Sequence, residues 1–278
     1  MRANVTALVL LASVIHISAP SAARADEKTL TVATYNVNWG NPEPSKTVSV
    51  IRALRADVVA LQETNRASQR WLTKHLKKTF PHAAFTKNDR GGAGGFGFVS
   101  KHELADVRFT PPTAGWFGSY SCRVRVNDAT VRIVSVHLMP VLPKPGATVM
   151  GVLSMLTATE GTRKKEISAL VGAHPPAEPT IVLGDFNSVS TQGAPTHMRT
   201  LGFLDSYAQA HKVPDTDPTW RWVYRGVPLA FRIDYVFHSP HFETTRCRIV
   251  REGPSDHYPV VGTLRFVSGK ADVEVTDE

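Results

Sequence analysis

The stretch CRVRVNDATVRIVSV, residues 122–136, decides how the rest of the chain is read. Two β-rich runs, Cys122–Val126 and Ala129–Val136, flank the turn-prone pair Asn127-Asp128, and this spacing predicts a β-hairpin. A hairpin means antiparallel pairing. Near-continuous apolar runs such as Val131–Val136 also imply strands buried on both faces. Together they favour two packed sheets with helices outside over a doubly wound parallel sheet.

Working outward, strands are expected at Thr29–Val37, Asp57–Gln62, Phe96–Ser100, Thr180–Leu183, Ile233–His238, Glu243–Val250 and Tyr258–Phe266. Ser45–Leu54 carries Val48, Ile51 and Leu54 at helical spacing. Ser68–Lys78 reads as an amphipathic helix with Trp71, Leu72, His75 and Leu76 on one side and Lys74, Lys77 and Lys78 solvated. Arg163–Val171 reads as a third helix, with Lys164, Lys165 and Glu166 outward and Ile167 and Leu170 inward. The glycine cluster Gly91–Gly95 leads into a strand and lacks the Lys-Ser/Thr of a phosphate-binding P-loop, so it reads as a tight or mobile loop. The apolar segment Met139–Leu156 is either a loop suited to a lipid phosphate or a short helix buried against the body.

With 278 residues, 42% hydrophobic and 20% charged, the chain can bury a sizeable core without a metal or disulfide staple. Residues 1–25 have a charged start at Arg2, an apolar middle from Val5 to Ile17 and an Ala23-Arg24-Ala25 exit, the layout of an export signal. One domain is expected over residues 26–267, followed by an acidic, disordered tail over 268–278. Loss of Arg2 and Arg24 would lower the formal charge from +8 to +6, a mild basicity that suits a phosphate-bearing substrate. Cys122 and Cys247 could pair in an oxidising compartment or stand as two buried thiols.

Polar clusters recur where these strands stop. Asn36 and Asn38 end the first, Glu63 follows the second, and His137 follows the hairpin. Asp185 and Asn187 share a face around Phe186, Asp234 opens a strand, and Asp256-His257 precede the last one. Carboxylates, amides and imidazoles gathered at one sheet edge are the groups that hold a hard cation and move protons.

The motifs TYNVN (34–38), LQE (61–63), GDFN (184–187), RIDY (232–235) and SDHYP (255–259) stand in the order found in the endonuclease/exonuclease/phosphatase superfamily, which the chain resembles from Thr34 to Phe266. That superfamily includes pancreatic-type deoxyribonuclease, abasic-site endonucleases, neutral sphingomyelinases and inositol-polyphosphate phosphatases. The resemblance implies an α/β (α+β) fold, a four-layer α/β/β/α sandwich of two mostly antiparallel sheets. It also implies a site for Mg²⁺, with Mn²⁺ or Ca²⁺ as alternatives. Residue by residue, it makes Glu63 the main metal ligand, supported by Asn36 and completed by Asp256. Asp185 becomes the group that orients or deprotonates water, and Asn187 holds a phosphoryl oxygen. Asp234 fixes His257, and His137 is a candidate acid for the leaving oxygen. Deoxyribonuclease pairs that second histidine with a glutamate; the corresponding stretch here, Gly92–Phe98, has none. Asn38, Arg232 and Trp220 are candidates for substrate contact.

The expected activity is hydrolysis of phosphodiester bonds by an exported, periplasmic or secreted monomer. Nucleic acid and a phospholipid head group are the competing substrates, the latter sphingomyelinase-like or phosphatase-like. A non-catalytic binding module would leave the polar set without a purpose.

Overall fold

The computed structural model describes residues 29–87, 92–143, 145–171, 176–211 and 217–267; the signal and tail readings lie outside them. The expected hairpin forms. Strands β6 (Ser119–Val126) and β7 (Ala129–His137) pair across the two-residue turn, with Val126 opposite Ala129. Asn127 takes a left-handed φ of 55°, a conformation that asparagine tolerates better than most side chains.

The hairpin belongs to a six-stranded sheet that also contains β5 (Ala105–Thr110), β8 (Thr180–Asp185), β9 (Leu204–Asp205) and β12 (Asp234–His238), in the order β5-β6-β7-β8-β12-β9. A second six-stranded sheet holds β1 (Thr29–Asn36), β2 (Val58–Gln62), β3 (His82–Phe85), β4 (Phe96–Ser100), β13 (Phe242–Ile249) and β14 (Val260–Phe266), ordered β13-β14-β1-β2-β4-β3. Each sheet is antiparallel except for one central parallel pair, β1 with β2 and β7 with β8. A small hairpin of β10 (Trp220–Tyr224) and β11 (Val227–Phe231) stands apart.

Side-chain alternation builds the layers. Leu30, Val32, Val58, Ala60, Ile133, Ile181 and Leu183 meet between the sheets. The opposite faces, Ala33, Tyr35, Val59 and Leu61, pack on Val48, Ile51 and Leu54 of the first helix and its end, and on Leu72 and Leu76 of the second. These helices are α1 (Pro44–Ala53) and α2 (Arg66–Leu76). Outside the other sheet, Val134, Val136 and Val182 pack on Ile167 of α4 (Glu160–Val171) and Ala194 and Met198 of α5 (Gly193–Thr200). The result is the four-layer α/β/β/α sandwich.

Cys122 and Cys247 are free and buried in the inter-sheet core, and burial pushes both thiols up to about 12. Two readings need correction. Glu166 does not point outward; with Arg163 it is buried on α4, because both side chains find backbone partners in the loop after β7. Trp71 lies 38% exposed with its ring tilted against His75, while Leu72 and Leu76 alone carry the buried face of α2. The apolar segment after His137 contains α3 (Val149–Ala158), which buries Val152 and leaves Met150 72% exposed.

Gly184 sits inside β8 at φ 145°, and a Cβ there would fall 2.0 Å from the carbonyl oxygen of Val136 on the parallel neighbour. Gly184→Ala is therefore expected to cost at least about 2 kcal/mol, measured as a lowered midpoint in urea unfolding.

Candidate active site

The central strands place their ends on one level. β1, β2, β7 and β8 run parallel in pairs, so their carboxyl ends carry Asn36, Glu63, His137 and Asp185. β12 runs the other way, and its first residue, Asp234, lies opposite Asp185. The segment before β14 brings Asp256 and His257 to the same rim. Beneath them, Gln62 bridges the two sheets, donating to Ser135 at 2.9 Å while accepting from Thr34 at 3.1 Å.

One amide organises the floor. Asn36 Nδ2 donates to Glu63 Oε1 at 3.0 Å and to Asp185 Oδ2 at 3.1 Å. Its Oδ1 accepts the Asn38 N–H, which fixes the amide's orientation and leaves nitrogen facing the carboxylates. Asn36 thus aligns the two acids through its nitrogen. Asn38 donates to Asp256 Oδ1 at 2.8 Å, and Trp220 Nε1 donates to Asp256 Oδ2 at 3.1 Å. The second Glu63 oxygen accepts the Trp39 N–H. Glu63, Asn38 and Asn187 all hold left-handed φ values, of 59°, 56° and 50°. For Glu63 the reason is visible: Thr64 donates its N–H to the Gly95 carbonyl, and a Cβ on Gly95 would meet the Thr64 carbonyl at 1.7 Å. The glycine cluster lets this corner close.

Two imidazoles flank Asp185, each with Nε2 3.6 Å from Oδ2. Their charge states are opposed. Burial works against protonation of His257, but Asp234, Asp185 and Asp256 outweigh it and hold the group at about 10. Asp234 accepts from Nδ1 at 2.9 Å, and in the imidazolium Nε2 carries a proton as well. His137 has no such carboxylate; burial dominates and pushes it down to about 4. That agrees with the glutamate missing from Gly92–Phe98. Phe117 stacks on the His137 ring at 4.2 Å. Burial also raises Asp185, to about 6, and raises Glu63. Asn187 donates its N–H to Asp185 Oδ1 and its side-chain amide to the Leu138 carbonyl.

Arg232 does not join the cluster. Its guanidinium is buried and forks onto Asp205 at 2.8 and 3.3 Å, lying over the rings of Tyr235 and Tyr207. It packs the fold behind Asp234. Sequence reasoning had no sign of this partner, 27 residues away. It also passed over Thr219, whose hydroxyl accepts the N–H groups of Ile233 and Asp234.

The donor set suits a hard divalent cation. Glu63, Asp185, Asp234 and Asp256 surround one imidazolium, and among the described residues no lysine or arginine lines the cleft. Asp185, Asp234 and His257 offer ligand atoms within 4.8 Å of one another. A protonated imidazole has no lone pair to give, so the cation fits better on the carboxylates of Glu63, Asp185 and Asp256.

Comparison with known proteins places these features in a family. The sequence profile of the Endonuclease/Exonuclease/phosphatase family matches residues 33–257, and the chain belongs to that family. Its members hydrolyse phosphate esters, as the name states, and are typically dependent on divalent metals. Among curated proteins none matches this chain. Solved structures share the fold. A family member from Beutenbergia cavernae superimposes with TM-score 0.63 at 21% identity, covering 86% of this chain and 72% of that one. TDP2 of D. rerio, complexed with single strand DNA product, gives TM-score 0.64 at 16% identity, over 86% and 100%. The 3' phosphatase NExo from Neisseria, bound to product DNA hairpin, gives TM-score 0.61 at 19% identity, over 86% and 99%.

Two outcomes follow from this geometry. Asp205→Ala strands the buried Arg232 charge and should cost about 3–5 kcal/mol in denaturant unfolding. His257 has a folded pKa above its ordinary 6.5, so its pairing stabilises fully below 6.5 and the contribution declines as pH rises to about 10. In chelator, the melting temperature of the wild type should fall across that window, and that of His257→Gln should fall less.

Proposed function

We propose that this protein is a divalent-cation-dependent phosphodiester hydrolase. The observation that carries the reading is the convergence of Glu63, Asp185 and His257 from three separate strand ends onto one floor. Glu63 and Asp256, with Asp185 beside them, would hold the ion, and Mg²⁺ suits a sparse all-oxygen set better than Mn²⁺ or Ca²⁺. When bound, the cation neutralises phosphoryl oxygens that would otherwise repel a nucleophile. Asp185, buried and aligned by Asn36 and by the Asn187 N–H, orients a water and takes its proton. The His257 imidazolium, held by Asp234, donates Nε2–H to a phosphoryl oxygen. Neutral His137, with one N–H and one lone pair, is a hydrogen-bonding partner there rather than the acid expected from the resemblance. Asn187 holds a further oxygen. Asn38 and Trp220 act through Asp256, which both of them clasp.

Nucleic acid is the favoured substrate. The charge of +6 left once Arg2 and Arg24 are removed supports it, as do relatives whose structures contain DNA products. One observation favours a second reading, a diester with an apolar group such as a phospholipid. The cleft, about 250 Å³, has one wall of Pro140, Val141, Leu142, Trp222 and Phe231. Salt separates the two, because nucleic-acid affinity falls steeply with added salt. We also propose that residues 26–267 act as a monomeric catalytic domain and that residues 1–25 direct export to the periplasm or beyond, a reading supported by the sequence of that segment.

The test is purified protein with Mg²⁺ or with chelator, assayed on plasmid DNA, RNA, bis(p-nitrophenyl) phosphate, a phosphomonoester and phospholipid vesicles. Diester cleavage that chelator abolishes is expected. Asp185→Ala should lower kcat by about 10²- to 10⁴-fold while the circular dichroism spectrum is retained. Turnover near that of the wild type by this variant would refute the assignment.

A further inference from the structure

His137 presents a problem that the rest of the site does not. Its Nδ1 faces the Ala93 backbone without a well-aligned hydrogen bond, and no carboxylate orients it as Asp234 orients His257. Yet the ring is 2% exposed and lies flat on Phe117, 18° from parallel. Something must hold both rings in place.

The holding group is on α4. Glu166 Oε2 accepts the N–H of Met139 at 2.9 Å, two residues beyond His137. The backbone N–H of Trp116, the residue before Phe117, faces the same carboxylate and favours its charged form. It fits because residue 115 is glycine: a Cβ there would lie 1.8 Å from Glu166 Oε1. One buried acid thus ties the strand end carrying His137 to the loop carrying the ring stacked upon it. Arg163, one turn earlier and fully buried, takes the next peptide group of the same residue, donating Nε to the Met139 carbonyl at 2.8 Å. Its Nη1 reaches Glu160, which accepts from Ser188 at 2.5 Å, next to Asn187. Between these ties, the Leu138 N–H donates to the Asp185 carbonyl and the Leu138 carbonyl accepts from Asn187.

We propose that Glu166 is a positioning residue for His137, setting the imidazole through Met139 on one side and Phe117 on the other, with Arg163 and Glu160 as its brace. The proposal rests on the phosphodiesterase reading for its kinetic consequence, but not for its structural one. A 1 Å displacement of a reacting group can cost about 100-fold in rate. Loss of the Glu166 tie therefore acts on kcat more than on KM.

Two measurements test it. The first reads ring placement without any activity. In a ¹H–¹³C spectrum, the His137 Cε1–H resonance, assigned with His137→Gln, carries the ring current of Phe117. Glu166→Ala should move it toward the position seen in Phe117→Leu, with the histidine resonances of His238 and His257 unmoved. The second is kinetics on bis(p-nitrophenyl) phosphate with Mg²⁺. Glu166→Ala should lower kcat about 10- to 100-fold with KM within about twofold, and the double variant Glu166→Ala/His137→Gln should be no slower than His137→Gln alone. If Glu166→Ala fails to fold, Glu166→Gln, which keeps one acceptor, carries both measurements. An unmoved His137 resonance, or losses that multiply in the double variant, would overturn the proposal. A wild type without diester turnover would sink the phosphodiesterase reading instead, and the resonance would still decide the positioning.

Discussion

Everything at this site depends on a single amide shared across two sheets. Asn36 ends a strand of one sheet, Asp185 ends a strand of the other, and the Asn36 side chain joins them while also holding Glu63. Two acids brought this close in a dry place repel each other. Their carboxyls are raised by burial, and one nitrogen with two hydrogens is their common support. Such an arrangement survives because the frame below is rigid. The parallel pair in each sheet fixes the height at which the strands stop, and the Gln62–Ser135 hydrogen bond locks the sheets to each other just under the floor.

The two site histidines show how far surroundings govern a side chain. Both are buried, and both stand the same 3.6 Å from one Asp185 oxygen. His257 has the additional Asp234 at hydrogen-bond distance and keeps its proton; His137 has an aromatic ring instead and loses it. Identical residue types thereby bring one charged and one neutral imidazole to the same small volume.

Much of this was legible in the chain itself. Alternating and continuous apolar runs marked the central strands, and polar residues where those runs stop marked the rim, because both patterns are local. The hairpin at Asn127-Asp128 was visible for the same reason. What escaped notice were relations between distant residues. Glu166 looks like part of a solvated helix face with Lys164 and Lys165 until Met139, 27 positions earlier, is seen to need a partner for its N–H. Arg232 reads as a substrate contact until Asp205 is found beneath it. The edge strands β3, β5 and β9 lack a strong pattern, being half exposed, almost wholly exposed and only two residues long, respectively. The left-handed backbone at Glu63 left no trace in composition, since its cause is Gly95, just before β4 and distant in sequence.

The two cysteines bear on how this molecule meets its environment. Thiolate, not thiol, attacks disulfides and peroxides, and both sulfurs here stay protonated and walled in between the sheets. The native packing therefore neither awaits an oxidant nor fears a reductant. Folding can be completed on either side of a bilayer without help from disulfide-forming machinery.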